Sequence, residues 1–255
     1  MKIFLDIGNS FVKIARLQNG ALAGDLKAPS AEFIKNPLKY LDNYYLTDSK
    51  VYIASVLKES LNFSLVEKLT SKGFICTIIK VREEFNGFKT LYNSETLGVD
   101  RWLACLAAYR IYNQDIVVID AGTAITVDFV TSNGLHLGGY IVSGIASLGQ
   151  TIMSSTGLHF EHSTVNSSDS IPTNTNDALT LGGWMMISGF FSKIEETIIR
   201  DKIYQPLSNE LKWVITGGDH EKVVNLLRPP LLVNTRLVLE GAFIVSKNLT
   251  ENQDK

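Results

Sequence analysis

The beginning of the chain combines short apolar runs with polar turns, a pattern typical of β-strands. Lys2–Leu5 and Phe11–Leu17 are rich in apolar and β-branched residues, and a polar segment containing glycine separates them. Asn19-Gly20 follows the second run, and both of its residues tolerate the positive φ that a tight hairpin turn requires. The chain is therefore predicted to open with antiparallel strands.

The remaining sequence alternates between short apolar runs and segments with helical spacing. The runs predicted as strands are Val51–Val56, Phe74–Ile79, Asp115–Ile119, Ile125–Val130 and Lys212–Thr216. The segments predicted as helices are Glu59–Lys72, Asp100–Tyr112, Asp177–Arg200 and Glu240–Lys247. Asp100–Tyr112 is apolar on nearly every side, so we expect it to be buried. Thr250–Lys255 is polar and is predicted to be disordered.

A strand-turn-strand motif near the start of the chain recurs 114 residues later. Asp6-Ile7-Gly8-Asn9-Ser10 corresponds to Asp120-Ala121-Gly122-Thr123-Ala124. The same offset matches Asn19-Gly20 with Asn133-Gly134 and Gly24 with Gly138. These identities fall where a backbone needs glycine or a site needs a carboxylate, which favours duplication over coincidence. We predict an α/β protein of two duplicated lobes, residues 1–113 and 114–255, with a cleft between them.

The composition is that of an ordinary globular protein. The 255 residues are 45% hydrophobic and 20% charged, with a net charge of -2, so nothing indicates a nucleic-acid partner. Cys76 and Cys105 lack the spacing of a metal or redox motif and are predicted to be reduced core residues of a cytoplasmic protein. No apolar stretch approaches the roughly 18 residues that a membrane span needs, so we predict no membrane association.

The two repeated turns carry residues that suit polyphosphate binding. Glycine lets backbone N–H groups approach a phosphate closely, and Asn, Ser or Thr adds side-chain donors. The carboxylates of Asp6 and Asp120 would repel phosphate, but each could hold a metal ion, or water around one, that bridges to it. Lys13 could add a positive charge. Either turn alone is more simply explained as a structural turn, whereas two matched copies favour a site.

Other polar segments give weaker signals. Thr216-Gly217-Gly218-Asp219 follows an apolar strand and would suit a nucleoside, although alone it is weak. Thr173–Asp177 presents hydroxyls and amides at a helix N-terminus, and capping accounts for one of them at most. The histidines lack the spacing of a metal site and are interpreted as ordinary polar residues: His136, His159, His162 and His220.

The loop from Tyr92 to Arg101 runs directly into the apolar helix. Asp100 is placed either to cap that helix or to act as a general base. Arg101 would be costly to bury unless an anion pairs with it, which could be a substrate carboxylate. An acid beside an arginine would make a coherent acceptor site for a phosphoryl group.

Taken in order, these motifs resemble the type III pantothenate kinase family of the acetate and sugar kinase/Hsp70/actin superfamily, over nearly the whole chain. The resemblance rests on the two aspartate-glycine motifs, on Gly98-Val99-Asp100-Arg101, on Gly138–Gly144 and on Asn174-Thr175. It implies ribonuclease H-like, actin-like ATPase lobes. It also implies transfer of the ATP γ-phosphate to the primary hydroxyl of pantothenate, the first step toward coenzyme A.

The resemblance assigns roles to individual residues. The residues implied to line the ATP phosphates are Asp6, Ile7, Gly8, Asn9, Ser10, Phe11, Val12 and Lys13, with Thr123 as a further ATP contact. The residues implied to bind pantothenate are Tyr92, Gly98, Val99, Asp100, Arg101 and Thr175, with Asp100 as proton acceptor. Asp120 is implied to hold a monovalent cation, potassium or ammonium. Magnesium would accompany ATP, and the protein would be a homodimer in which Asp177–Arg200 contributes to the interface.

One departure and two alternatives remain. Many relatives carry proline where this chain has Ser143, so the glycine-rich loop could be looser here. Another small-molecule kinase, such as a sugar kinase, would share the duplicated turns, although two isolated cysteines cannot supply the zinc motif of the bacterial sugar kinases that bind that metal. A non-catalytic DNA-binding regulator is the other alternative, and the near-neutral charge argues against it.

Overall fold

The computed structural model describes residues 1–41, 48–156, 171–200 and 211–251. They divide into two compact units. The first unit comprises Met1–Asn113, Ser132–Gly138 and the chain from Arg236 onward, and the second comprises Gln114–Thr131 and Gly139–Thr235. Each unit contains a sheet and helices, which confirms the predicted α/β class with two lobes.

The first unit is built on a mixed sheet with the strand order β3-β2-β1-β4-β5. Its strands are β1 (Lys2–Ile7), β2 (Phe11–Gln18), β3 (Ala21–Pro29), β4 (Lys50–Ser55) and β5 (Ile75–Ile78). β2 runs antiparallel to β1 and β3, whereas β4 runs parallel to β1 and β5. Its helices are α1 (Ser30–Lys35), α2 (Leu38–Leu41), α3 (Glu59–Thr70), α4 (Val99–Tyr112) and α8 (Leu237–Glu251). Two short strands, β6 (Glu84–Phe85) and β7 (Phe88–Thr90), precede α4.

Apolar side chains cover both faces of this sheet. On one face, alternate residues of β1 and β2 belong to a core cluster with residues of α1 and α3: Ile3, Leu5, Ile7, Val12, Ile14, Phe33, Leu65 and Leu69. On the other face Phe4 stacks on Tyr52, with ring centroids 5.4 Å apart, and Phe243 of α8 meets Phe4 edge-on. Trp102 lies fully buried beside Phe85 and Phe88, as expected for an apolar α4.

The second unit repeats this topology. Its strands are β8 (Ile116–Ala121), β9 (Ala124–Val130), β10 (Leu135–Ser143), β11 (Lys212–Thr216) and β12 (Leu231–Val233), in the order β10-β9-β8-β11-β12. β8 is antiparallel to β9 and parallel to β11, which is parallel to β12. Its helices are α5 (Ile145–Thr156), α6 (Thr175–Arg200) and α7 (His220–Val223), and a 3-10 helix (Val224–Leu226) follows α7.

Backbone angles at the matched glycines support the duplication. Gly20 and Gly134 have φ of 80° and 85°, and Gly24 and Gly138 have φ of 81° and 112°. Residues with a Cβ rarely adopt such angles, so the same unusual conformation is required at both positions of each pair. β10 starts in the first unit, where Leu135 and His136 pair with Lys89 and Thr90 of β7.

Several predicted boundaries differ from the structure. The last helix is longer than predicted and includes Glu251, so the expected disorder does not begin at Thr250, and residues 252–255 lie outside the described part. His159 and His162 also lie outside it. Both cysteines are free, and burial raises the pKa of the Cys76 thiol, which makes it a poor nucleophile. Within the described ranges, no helix combines the length and hydropathy needed to cross a bilayer.

Candidate functional site

The first repeated turn joins β1 to β2 and is closed by its own backbone. The Gly8 N–H donates to the Phe11 carbonyl at 3.0 Å. Ser30, which the sequence analysis did not single out, holds the turn from below: its hydroxyl donates to the Gly8 carbonyl at 2.7 Å and its N–H donates to the Ser10 carbonyl at 3.0 Å. The exposed tip, Asn9 and Ser10, is thereby presented to solvent on a fixed backbone.

Charged side chains lie in register across three strands beside this turn. Asp6 of β1 pairs with Lys13 of β2, and Lys13 pairs with Lys27 of β3. Residues opposite one another on neighbouring strands point to the same face. The Lys27 ammonium lies 3.9 Å from the ring centroid of the exposed Phe11. Two cations therefore stand on the face that carries Asp6, and Lys27 was not among the predicted site residues.

Two of the implied ATP-binding residues point into the core. Ile7 is 1% exposed and Val12 is fully buried, and both belong to the apolar cluster of the first unit. Their side chains are therefore unable to contact a ligand, and only their backbone groups could do so.

The second repeated turn joins β8 to β9 and closes in the same way. The Gly122 N–H donates to the Ala124 carbonyl at 3.0 Å. The Thr123 carbonyl accepts two hydrogen bonds, from the Gly144 N–H at 3.0 Å and from the Ser147 hydroxyl at 2.7 Å. The Thr123 residue itself is exposed. Gly144 and the start of α5 therefore support this turn as Ser30 supports the first.

Oxygen atoms converge beside Asp120 in the second unit. Asp120 of β8 lies in register with Thr126 of β9 and with Thr216 of β11. Thr216 is 1% exposed, and its hydroxyl has no hydrogen-bond partner among the described residues. Gly217 follows with φ of 96°, and a Cβ there would collide with the Ala121 carbonyl oxygen and the Asp120 Oδ1.

The glycine segment after β11 is thereby joined to the second repeated turn. The Asp219 N–H donates to the Ala121 carbonyl at 2.9 Å. From the sequence, Thr216–Asp219 was a weak signal taken alone. Its position against the end of β8 places it within the candidate site of the second unit.

The start of α4 carries the residues expected to bind the phosphoryl acceptor. The helix begins at Val99 with Gly98 as its N-cap, so the capping alternative for Asp100 is wrong. Asp100 is instead the second helical residue, and its Oδ1 accepts a hydrogen bond from the Arg101 N–H at 2.8 Å. A Cβ at Gly98 would collide with that same Oδ1. Glycine therefore leaves the space that the half-buried carboxylate occupies.

Arg101 is almost completely buried, with 5% of its surface exposed. Its guanidinium carbon lies 5.1 Å from the centroid of the Tyr92 ring, within the range of a cation–π contact. Four of the implied acceptor-binding residues therefore lie side by side. Gly98 lies against the Asp100 carboxylate, Asp100 is hydrogen-bonded to Arg101, and Arg101 lies on the Tyr92 ring.

A groove of about 530 Å³ opens beside the start of α4 in the first unit. It is lined by three segments, 55–57, 78–81 and 94–99. Ser55 pairs with Ile7, and the Val56 N–H donates to the Ile7 carbonyl at 3.2 Å, so the groove adjoins the first repeated turn. A volume of several hundred cubic ångströms suits a small organic substrate.

The segment before α6 behaves partly as a helix cap. The Asn174 side chain accepts from the Asp177 N–H at 2.9 Å and donates to the Asp177 carboxylate at 2.7 Å. Thr175 is the first helical residue and is exposed. It lies in the second unit with Asp120 and Thr123, whereas the other implied acceptor-binding residues lie in the first.

Ser143 and His136 differ from their sequence interpretation. Ser143 is the last residue of β10, and its hydroxyl donates to the Gly144 carbonyl at 3.2 Å, so strand pairing and a local bond restrain this position. His136 is fully buried, with Nδ1 2.8 Å from the Thr90 hydroxyl, rather than an ordinary polar residue. The contact between His136 and Thr90 depends on the pairing of β10 with β7, and the pattern of apolar and polar residues does not predict which strands pair.

Comparison with known proteins identifies the family. The family model described as type III pantothenate kinase matches residues 2–198. A type III pantothenate kinase of Colwellia psychrerythraea is 31% identical over 96% of this chain and 95% of its own length. One from a Marinomonas species is 30% identical over 95% and 93%, respectively.

Solved structures share the fold. A Campylobacter jejuni protein named for the Baf family of transcriptional activators is 27% identical, with a TM-score of 0.60, over 99% of this chain and 100% of that protein. The polyphosphate/ATP-glucomannokinase of Arthrobacter sp. strain KM is 16% identical, with a TM-score of 0.50, over 97% of this chain and 98% of that enzyme. The latter likeness shows the actin-like ATPase fold alone.

Proposed function

Because this chain belongs to the type III pantothenate kinase family, we propose that it transfers the γ-phosphate of ATP to the primary hydroxyl of pantothenate. The product is 4'-phosphopantothenate, and the reaction is the first step of coenzyme A biosynthesis. The observation that carries the proposal is the start of α4, where Asp100 directly follows two residues that line the groove, Gly98 and Val99. A carboxylate beside an acceptor pocket suits phosphoryl transfer to an alcohol.

Asp100 is the proton acceptor in this proposal. The acceptor hydroxyl gives its proton to the Asp100 carboxylate while its oxygen forms a bond to the γ-phosphorus. The bond from that phosphorus to the bridging oxygen breaks, and ADP leaves with the electron pair. The hydrogen bond from the Arg101 N–H restrains the carboxylate before the substrate arrives, so little reorganisation is needed.

Arg101 is the proposed partner of the pantothenate carboxylate. A charge-assisted hydrogen bond to a carboxylate is stronger in a buried setting, and Arg101 is almost completely buried. Tyr92 supports the guanidinium through its ring. Gly98, Val99 and the exposed Thr175 hydroxyl complete the proposed set of acceptor contacts.

The proposed ATP contacts are Asp6–Lys13 of the first unit and Thr123 of the second. Asn9 and Ser10 offer exposed donors at a fixed tip, and Lys13 supplies positive charge. Ile7 and Val12 would contribute backbone groups only, because their side chains lie in the core. Magnesium bound with ATP neutralises charge on the phosphates.

A monovalent cation, potassium or ammonium, is proposed beside Asp120. The residues fit such an ion, because hard cations prefer oxygen donors and the buried Thr216 hydroxyl is unpartnered among the described residues. Gly217 also leaves space against the Asp120 carboxylate that a Cβ would fill. Asp120 and Thr216 would hold the ion, and the ion would supply a positive charge at that position.

A homodimer formed through α6 is part of the proposal. Gly182, Met185, Met186 and Gly189 have the spacing of one helical face, and all four are exposed. A Cβ at Gly182 or Gly189 would meet nothing within 4 Å, so a second helix could approach closely there.

The cytoplasmic location and the lack of a nucleic-acid partner stay predictions of the sequence.

The proposal is tested by ATP-dependent phosphorylation with purified protein. Pantothenate, N-acetylmannosamine and glucose are offered separately, and phosphorylated products are measured by mass spectrometry, with the Asp100→Asn variant as control. We expect the parent protein to form phosphopantothenate and the Asp100→Asn variant to form far less of it. Phosphorylation of a sugar without pantothenate would favour the sugar-kinase alternative. A silent enzyme that binds DNA at physiological salt would favour a regulator.

A further inference from the structure

Three rings and one guanidinium form a continuous column behind the proposed acceptor site. His136 stacks on Phe88 with centroids 6.2 Å apart and an interplanar angle of 16°. Tyr92 stacks on His136 at 6.4 Å and 10°. The Arg101 guanidinium carbon lies 5.1 Å from the Tyr92 centroid. The buried imidazole is therefore the layer between the apolar core and the residue that supports Arg101.

A hydrogen-bonded link ties the same imidazole to the backbone of Tyr92. The Tyr92 N–H donates to the Thr90 hydroxyl oxygen at 3.0 Å, and that hydroxyl lies 2.8 Å from His136 Nδ1. The Thr90 hydroxyl therefore joins the Tyr92 backbone to the His136 ring through two hydrogen bonds. Beside this link, the Leu91 N–H donates to the His136 carbonyl at 2.9 Å. Both the ring and the backbone of Tyr92 are thus fixed through His136.

We propose that His136 is a positioning residue for acceptor binding, acting through Tyr92 on Arg101. A flat ring is needed to hold the plane of Tyr92, and a ring nitrogen is needed to hydrogen-bond with the Thr90 hydroxyl. Histidine supplies both, whereas an aliphatic side chain would fill the same space and supply neither. The inference rests on the proposed function, in which Arg101 binds the substrate carboxylate.

This role predicts an asymmetric kinetic effect. In His136→Ala the KM for pantothenate should rise about tenfold, the size expected for losing one desolvated cation–π support, while the KM for ATP stays within about twofold. His136→Phe keeps a flat ring but loses the nitrogen that hydrogen-bonds with Thr90, so it should restore part of the difference. Thr90→Val, which removes the hydroxyl, should resemble His136→Phe, and the double variant should add little to either.

A measurement without substrate tests the role of His136 independently of the proposed phosphorylation of pantothenate. Hydrogen–deuterium exchange is measured in peptides containing the Tyr92 N–H, for the parent protein and for His136→Ala, His136→Phe and Thr90→Val. Thermal unfolding confirms that each variant is folded. We expect faster exchange of this segment in all three variants. Exchange in peptides of α3 should be unchanged, because α3 packs through Leu65 and Leu69 in a cluster that contains none of the four column residues.

The outcomes distinguish the two ideas. If the parent phosphorylates another acceptor, the proposed function fails and the KM comparison is repeated with that acceptor. Faster exchange with a selective rise in the acceptor KM supports the positioning role. Unchanged exchange in His136→Ala overturns it, and so does an equal rise of both KM values, because either result reduces His136 to a packing residue.

Discussion

The position of one carboxylate explains two residues of the family motif at once. Asp100 follows the N-cap of α4 by two positions, and its Oδ1 occupies the volume that a Cβ at Gly98 would need. The Arg101 N–H and the space left by Gly98 both determine where the Asp100 carboxylate lies. The motif therefore specifies the position of the carboxylate as well as its presence. Its two members can therefore be tested separately.

Replacing the acid tests the proton acceptor directly. Asp100→Asn keeps the size of the side chain but removes its basicity, so turnover should fall on the order of 10²–10⁴-fold. Thermal unfolding should change little, because Asp100 is not the N-cap whose loss would shorten α4. Steady-state rates and melting curves are the measurements. Turnover close to that of the parent would mean that Asp100 has no role as a base.

Replacing the glycine moves the acid without removing it. In Gly98→Ala the new methyl group would displace the Asp100 carboxylate, and such misplacement should lower turnover about 10–100-fold. Stability should stay within about 1 kcal/mol, because the obstructing atom is the end of a side chain. The Gly98→Ala/Asp100→Asn double variant is the control. It should be no slower than Asp100→Asn, and a further multiplicative loss would show that Gly98 acts elsewhere.

Asp120 gives a test of the proposed cation site. Asp120→Ala removes the only charged donor assigned to it, so activation by potassium should disappear. A second readout is the melting temperature in KCl compared with LiCl, which should rise selectively for the parent and not for the variant. If the variant responds to potassium as the parent does, the cation is held elsewhere.

At the residue scale, charged side chains were conspicuous in the sequence, whereas residues whose contacts lie on other elements were not. Asp6, Asp100 and Asp120 were candidates because each carboxylate lies beside a glycine turn or a helix start, and their roles in the reaction stay predictions. Whether Asp100 caps the helix depended on a shift of two positions in the helix start, which a periodic pattern does not resolve. His136 and Ser30 gave no signal, because their partners lie on other elements.

The two strand-turn-strand motifs are equivalent elements with different supports. Each turn accepts one hydrogen bond from a hydroxyl and one from a backbone N–H: Ser30 supplies both donors at the first turn, and Ser147 and Gly144 supply them at the second. A Cβ at Gly144 would collide with the Gly122 carbonyl and would lie 2.8 Å from the Thr123 carbonyl oxygen. The second turn therefore leaves no space for a methyl group at Gly144.

A pair of alanine variants tests this close packing. Gly144→Ala should destabilise the protein by about 1–3 kcal/mol, because the colliding atoms are backbone and cannot move aside. Gly122→Ala is the matched control within the same turn, since its Cβ would meet no atom closer than 3.8 Å. Its stability should stay within about 1 kcal/mol of the parent. Urea unfolding measures both, and equal losses would contradict the proposed packing.

Element types were predictable where the pattern was strong, and registers were not. β11 has the predicted bounds, Lys212–Thr216, because an apolar run between polar residues leaves little choice. The pairing of Thr216 with Asp120 joins two strands, β11 and β8, that lie far apart in the sequence. Alternation along one strand fixes which face a residue occupies but not which strand lies beside it.

At the scale of the whole molecule, the repeat predicted that the two units share a topology. It did not predict that later segments of the chain belong to the first unit. Residues 132–138 and the chain from Arg236 onward pack with the first unit, although they follow the start of the second repeat. α8 packs closely on α4, where a Cβ at Gly241 would collide with the Leu103 backbone. Such long-range packing leaves no periodic signal in either helix.

The proposed homodimer gives the largest-scale prediction. Met185 is 76% exposed, between the open Gly182 and Gly189 on α6, so it would be central to a helix–helix contact. Met185→Glu would bury a carboxylate there and should weaken dimerisation on the order of 100-fold. Phe63→Glu on α3 is the control, because Phe63 is 71% exposed and has no assigned contact. Sedimentation velocity should show a dimer for the parent and control and a monomer for Met185→Glu. A monomeric parent, or dissociation of both variants, would exclude this face of α6 as the interface.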